Sequence, residues 1–274
     1  MSFRINTNVS ALFSNMYGRQ IQHETDLSLE KLSTGLRINR AADDSAGLAI
    51  ANQLRSQHQG LTQANKNAAD AISLVKIADG AMDEYQKILV TARDKASQAI
   101  SDSNSPEARA ALEADVKALM EQADQIAKTT SFNGINLLDG TFTNKNFQVG
   151  AYSGQTMTVS IANTDIASQG LDDASIDLTT GAGATTALAD IDTAIKAIDT
   201  IRSGIGSNQS ALESRVRVND ATAVNVQAAE SQIRDVDYAA ETERLNKNSL
   251  KSQANAFALS KSFESQSLIL NLLR

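Results

Sequence analysis

This 274-residue chain has no cysteine and no tryptophan, and it has one proline. Without cysteine there are no disulfide frameworks, no thiolate metal sites and no thiol nucleophile. Two histidines, His23 and His58, give imidazole-based metal or triad chemistry little to work with. With Pro106 as the only proline, helix breakers are nearly missing. Aromatics are 4% of the chain, seven Phe and four Tyr, although apolar residues make up 42%. The apolar material is therefore mostly Ala, Leu, Ile and Val. That suits long helices packed side by side better than an aromatic-rich compact core. No run approaches the ~18 apolar residues that a membrane span needs. The opening MSFRINTNVSAL lacks the apolar h-region and small-residue cleavage pattern of a secretory signal, so no cleaved signal peptide is expected. Together these absences argue against an enzyme, a cofactor or a membrane partner.

Charge is unevenly spread. Fourteen acidic and five basic residues lie between Asp102 and Thr200, a net −9 against −7 for the whole chain. An acidic chain of this kind is a poor nucleic-acid ligand. Asp43 and Asp44 stand together at a helix start, where carboxylates cap helices more often than they bind metal. Arg244, Lys247 and Lys251 make a mild basic strip, either solvated or lining an interior.

Periodicity organises the rest. Ile5, Val9, Leu12 and Met16 fall on one helical face. The segment Ser33–Gly47 replaces periodicity with charge and glycine and reads as an elbow, with Asp43, Asp44 or Ser45 capping the next helix. From about 46 to 101 a long helix carries Leu74, Ala78, Ala81, Tyr85, Ile88 and Ala92 at the 4/3 spacing of a coiled-coil seam, widened by Met82, Leu89 and Ala96. Ser105, Pro106 and Glu107 start another helix, ending near Lys128. Phe147, Val149 and Ala151, then Met157, Val159 and Ile161, alternate with polar residues and predict a β-hairpin near 145–163. The stretch 164–186 is expected to be a short irregular segment, with 170–186, which has no apolar period, as surface structure. Helix returns at Ala187 and continues to Ile233, and a last helix runs from about Ala239 to the end with Leu250, Phe257, Phe263, Leu268, Leu270 and Leu273 on a broad apolar surface.

The expected fold is mainly α: an elongated bundle of long antiparallel helices with a β-hairpin, plus a terminal helix pair forming a coiled coil. Residues 1–45 with 239–274 make the terminal pair and its connecting loop, and 46–238 make the bundle. Helices over forty residues long pack against equally long partners. The terminal helices have no third element to cover their apolar residues, so those residues read as an interface. A heterologous contact repeated by every copy propagates into a filament.

Six fragments, in order, resemble bacterial flagellins: Ile5-Asn6-Thr7-Asn8; Leu32–Asn39 running on through Asp43–Ala51; Ser131-Phe132-Asn133-Gly134; Phe147-Gln148-Val149-Gly150; Ser231–Asp237; and Leu270-Asn271-Leu272-Leu273-Arg274. The resemblance covers roughly 1–165 and 185–274. It implies a structural subunit that polymerises into the flagellar filament used for swimming and is exported unfolded through the flagellar type III apparatus to the cell exterior. It implies that the terminal pair lines the filament lumen. It also implies an export chaperone at the carboxy-terminal helix, with hook-associated and cap proteins as further partners. A hook–filament junction protein shares this terminal architecture and is the alternative. Only about fifty residues, 136–186, lie where larger members insert outer domains, so a smooth filament is expected.

The resemblance also locates an innate-immune receptor site on the long helix. Members that the receptor recognises show a Gln-Arg-Val-Arg-Glu-Leu-Ala pattern. Here the matching residues are Val90-Thr91-Ala92-Arg93-Asp94-Lys95-Ala96. Leu89 and Arg93 are kept, and Asp115 stands where an acidic partner is expected. Thr91 replaces an arginine and Lys95 a leucine, removing a cationic hot spot and an apolar anchor, each capable of ~2 kcal/mol at an interface. Weak or no recognition is expected.

Overall fold

The computed structural model describes residues 7–172 and 176–272. It is mainly α, as the spacing predicts. The helices are α1 (Val9–Thr34), α2 (Ser45–Ile100), α3 (Pro106–Thr129), α4 (Gly181–Arg234) and α5 (Tyr238–Leu272). Two antiparallel hairpins follow α3: β1 (Ser131–Phe132) with β2 (Ile135–Asn136), and β3 (Lys145–Gln148) with β4 (Thr156–Val159). A single 3₁₀ turn spans Ile166–Gln169. The chain separates into two compact units, Met1–Ser56 with Asn225–Arg274, and Gln57–Val224, so α2 and α4 each run from one unit into the other.

The core of the unit Gln57–Val224 is a helical stripe of unusual regularity. On α2, Ala71, Val75, Ala78, Met82, Tyr85, Leu89, Ala92, Ala96 and Ala99 alternate by 4 and 3 and are all solvent-inaccessible. The sequence reading centred this seam on Ala81 and Ile88. Both are only half-buried, and Met82 and Leu89 occupy the centre instead. Leu112, Val116, Met120, Ala123 and Ala127 of α3, and Ala187, Ile191, Ala194, Ile198 and Ile205 of α4, join the same cluster. Small alanines bring the helix axes together, while Met82, Tyr85 and Leu89 fill the wider space.

Ser105 caps α3 by accepting from the Ala108 N–H at 3.2 Å, and Pro106 takes the first helical position. The β3–β4 hairpin pairs Phe147 with Met157 and Lys145 with Val159. Phe147 and Met157 are half-buried against the cluster, and Val149 and Val159 lie inside it.

Two local features differ from expectation. Ser131-Phe132-Asn133-Gly134 is not merely a helix end. Asn133 (φ 50°) and Gly134 (φ 77°) form the two-residue turn between β1 and β2, and both need the positive φ that Asn and Gly tolerate. The 170–186 segment is also not all surface. Leu171, Ile176 and Leu178 are buried, and α4 starts at Gly181, six residues before the expected Ala187. The Leu178 N–H donates to Glu113 Oε2 at 3.1 Å, which ties that residue to α3, and Thr180 Oγ1 accepts from the Gly183 N–H at 3.0 Å, which caps α4.

Among the described residues, four buried side-chain polar atoms find no hydrogen-bond partner, on Tyr85, Arg109, Asp165 and Arg234. The Tyr85 hydroxyl is buried without a hydrogen-bond partner, and burial together with the charges of Asp124 and Asp165 drives its pKa upward. Tyr85→Phe keeps the ring and removes an unpaired buried hydroxyl, which costs about 1–3 kcal/mol to desolvate. The variant is expected to be at least as stable as the parent by urea titration. A loss above about 1 kcal/mol would show that the hydroxyl is satisfied after all.

Candidate assembly surface

Within the unit Met1–Ser56 with Asn225–Arg274, α1 and α5 pair antiparallel. Asn8 caps α1, its Oδ1 accepting from the Ala11 N–H at 3.0 Å. Gly35 ends it at φ 73°, its N–H donating to the Lys31 carbonyl at 2.9 Å, in the left-handed conformation that glycine adopts without strain. The break after α1 and the break before α5 are clipped together by main-chain hydrogen bonds. The Val236 N–H donates to Gly35 O at 3.0 Å and the Arg37 N–H to Arg234 O at 2.6 Å, around a bridge between Leu36 and Asp235. The Arg37 guanidinium donates to the Ile233 carbonyl, and Ile38 is buried beside them. Asp44 caps α2 through the Gly47 N–H at 2.9 Å. Asp43 instead accepts from the Asn39 and Arg40 N–H groups at 3.0 and 2.9 Å, bonds that hold its carboxyl below the usual carboxylate range.

The seam between α1 and α5 follows a heptad in which small and polar residues alternate with a few aliphatic ones. On α1 it runs through Ala11, Ser14, Gly18, Ile21, Thr25, Ser28 and Leu32, and on α5 through Glu241, Leu245, Asn248, Asn255, Leu259 and Ser262. The Ser28 hydroxyl donates to Glu241 Oε1 at 2.6 Å, both residues buried. Asn8 Nδ2 donates to the Ser262 carbonyl at 3.1 Å, and the Ser262 hydroxyl donates to Asn8 Oδ1, also at 3.1 Å. Gly18 leaves room for Asn255, whose Nδ2 would lie 2.6 Å from a Cβ there. The basic strip lies along this pair. Lys31, Arg244, Lys247 and Lys251 share a cleft of about 310 Å³ with Glu24 and Glu241, and Lys251 Nζ stands 3.7 Å from Glu24 Oε2.

Large apolar side chains face outward. Val9, Leu12 and Met16 on α1 are 47, 59 and 46% exposed, and Leu250, Phe257 and Phe263 on α5 are 66, 67 and 54% exposed. Phe13, Tyr17, Leu29 and Tyr238 extend the exposed set, although the single-face reading of α1 passed over Phe13 and Tyr17 beside Leu12 and Met16. Ile5 and Leu273 lie outside the described residues. Leu268 and Leu270 belong to α5, but their side chains are also outside the described set. The pair thus buries polar groups such as Ser28, Glu241 and Asn248 at its contact while leaving many of its large apolar groups at the surface.

The receptor-site equivalents sit elsewhere, in the unit Gln57–Val224. Leu89 is fully buried and presents nothing to a partner. Thr91 is exposed, its hydroxyl donating to the Lys87 carbonyl at 2.9 Å. Arg93 pairs with Asp192 at 2.5 Å, and Lys95 pairs with Asp115 at 2.9 Å. The carboxylate of Asp115 is thus already engaged by Lys95 of the same chain.

Long heptad helices, two small hairpins and a terminal pair that turns its apolar residues outward define a helical structural protein that presents an interaction surface. The chain belongs to the bacterial flagellin family: the bacterial flagellin N-terminal helical region matches residues 5–143 and the C-terminal helical region residues 188–273. A flagellin of Halalkalibacterium halodurans is 39% identical over 247 residues, covering 90% of this chain and 91% of that protein. Flagellin B of Helicobacter pylori is 56% identical over 164 residues, 60% of this chain but 32% of that protein, so the chain matches about a third of the length of that relative. The crystal structure of Bacillus cereus flagellin superimposes with a TM-score of 0.50 at 30% identity, over 56% of this chain and 88% of that one. A putative flagellar hook-associated protein from Vibrio parahaemolyticus shares the fold, with a TM-score of 0.60 at 15% identity over 70% of this chain and 100% of that one.

Proposed function

We propose that this chain is a structural subunit that polymerises into the bacterial flagellar filament and so serves swimming motility. The observation that carries the reading is the outward apolar face of the α1–α5 pair. Exposed apolar surface of that extent on a helix pair with a polar seam is held in water only until a neighbour covers it. Where each copy meets the next through two different parts of that surface, the contact is heterologous and can propagate without closing. In this reading the terminal pair, 1–45 with 239–274, forms the inner layer around the lumen and 46–238 forms the layer around it. The short 136–186 region leaves the outer surface without projecting domains.

Export unfolded through the flagellar type III apparatus is consistent with a chain nearly free of proline and free of cysteine. The apolar residues of α5 are the natural contact for an export chaperone before assembly, and the filament ends would meet hook-associated and cap proteins. No described helix is long and apolar enough to cross a membrane.

Electron microscopy of the purified chain seeded with filament fragments tests the proposal. Long filaments are the expected result. Seeds that never elongate, beside stable monomers, would overturn it in favour of a hook–filament junction protein.

Recognition by the innate-immune flagellin receptor is proposed to be weak or absent. Thr91 and Lys95 stand where an arginine and a leucine would bind, Leu89 is buried, and Asp115 is occupied by Lys95. A receptor-reporter assay is expected to show little activation, and activation at the potency of a strongly recognised flagellin would sink this reading.

A further inference from the structure

If burial of apolar area alone chose which faces of α1 and α5 meet, Leu12 and Met16 would turn toward Leu250 and Phe257. They do not. The contact mixes serine, threonine, glycine and asparagine with Ala11, Ile21, Leu32, Leu245 and Leu259, while Leu12, Met16, Leu250 and Phe257 stay more than two-fifths exposed.

We infer that Ser28 and Glu241, together with Asn8 and Ser262 at the far end of the pair, form a polar lock that decides which faces of α1 and α5 are turned toward each other. Glu241 is buried, yet both carboxylate oxygens are served: Oε1 accepts from the Ser28 hydroxyl at 2.6 Å, and Oε2 lies 3.4 Å from Arg244 Nη1. Turning α1 by one residue, about 100°, takes the Ser28 hydroxyl from Glu241 Oε1 and leaves the buried carboxylate with only Arg244 of its own helix. A lost partner for a buried polar group costs more than the bond itself contributes, so the unlocked arrangements are selected against rather than merely not favoured.

The lock at the far end repeats the condition. Asn8 and Ser28 are about 30 Å apart along α1, and Glu241 and Ser262 nearly the same distance apart along α5, at 1.5 Å per residue. Only one axial offset lets Asn8 meet Ser262 while Ser28 meets Glu241. The main-chain clip at Gly35–Val236 sets the level at which the helices leave their breaks. Its backbone bonds are blind to side chains and do not choose a face. A buried polar residue at a seam position specifies register in coiled coils for the same reason, and Asn248, also buried, adds a third such position here. The functional consequence is that intrachain pairing leaves the apolar residues unused. The lock acts within one chain, so its failure would leave the filament reading standing, and the converse also holds.

Disulfide trapping in the full-length chain tests it, since the chain has no cysteine of its own. Gly18→Cys with Asn255→Cys places thiols at a seam contact outside the lock, where a Cβ at position 18 would lie 3.8 Å from Asn255 Cγ, close enough to oxidise. Leu12→Cys with Phe257→Cys lies at a similar axial level on the outward faces. In the parent background the seam pair is expected to oxidise nearly completely and the outer pair to stay reduced. Glu241→Leu is expected to lower the seam disulfide at least about fivefold and to raise the outer one. Glu241→Gln, which still accepts from Ser28, is expected to retain the parent pattern. If circular dichroism shows that Glu241→Leu costs helix, Ser28→Ala, which removes one hydroxyl, is expected to give the same redistribution with helix intact. An unchanged seam disulfide in Glu241→Leu or Ser28→Ala overturns the inference, as does a seam pair that stays reduced in the parent.

Discussion

Replacing Leu250, Phe257 and Phe263 together with serine is expected to abolish filament elongation without unfolding the chain. The three side chains are more than half exposed, so they contribute little to intrachain packing. Surface substitutions of that kind usually change stability by no more than about 0.5 kcal/mol each. At a subunit interface the same groups are large apolar anchors, each contributing about 2 kcal/mol when desolvated in a fitted pocket. Three such losses approach 6 kcal/mol, a factor of roughly 10⁴ in the affinity of each added subunit. The sum overstates additivity, yet a tenth of that factor still moves the critical concentration out of reach. Sedimentation of seeded reactions measures it. Urea titration of the same variant, expected to coincide with the parent, separates lost assembly from lost fold. Elongation at the parent's critical concentration would remove α5 from the interface.

Leu89→Ala is expected to cost about 2–5 kcal/mol of stability, the range for truncating a buried leucine. Leu89 sits in the middle of the α2 stripe between Tyr85 and Ala92, with no exposed surface and neighbours from α3 and α4 in the same cluster. Thr91→Ala, two residues away on the exposed side, is the control and is expected to stay within about 0.5 kcal/mol. A loss below about 1 kcal/mol for Leu89→Ala in urea would mean that the stripe is not packed as described. The comparison also bears on immune recognition. Weaker signalling by a Leu89 variant would report a loosened bundle, because the side chain is not at the surface.

Much of the fold was legible in the sequence because its signals are long and regular. The 4/3 rhythm of α2 and α4, the Ser105-Pro106-Glu107 start of α3, and the alternation around Phe147 and Met157 all mark elements the structure contains. The centre of the α2 seam was displaced by one position. A helix with neighbours on more than one side has a wide apolar arc, and only packing shows which residue points to its middle. The β1–β2 turn was overlooked although its signal was present, since Asn-Gly flanked by Phe132 and Ile135 is a strong short hairpin mark. The 170–186 segment left no signal to find. Leu171, Ile176 and Leu178 dock one at a time into gaps between helices, and single docked residues have no period.

By itself, the sequence determined that the chain is a set of long helices without disulfide or thiol chemistry, and that large apolar residues at both ends lack a third element to cover them. Only the tertiary structure decided how those ends meet. Ser14, Gly18, Thr25 and Ser28, or Asn248, Asn255 and Ser262, look like solvated surface when read along one helix. Ser28, Ser262 and the Gly18–Asn255 approach become contacts only when the facing helix supplies a donor, an acceptor or the space for one. Hydrogen bonding is pairwise and directional, so a polar seam exists in the pair and in neither helix alone. Apolar burial is non-directional and leaves its mark in composition, which is why the unspent apolar face could be read from one strand of sequence and the polar seam could not.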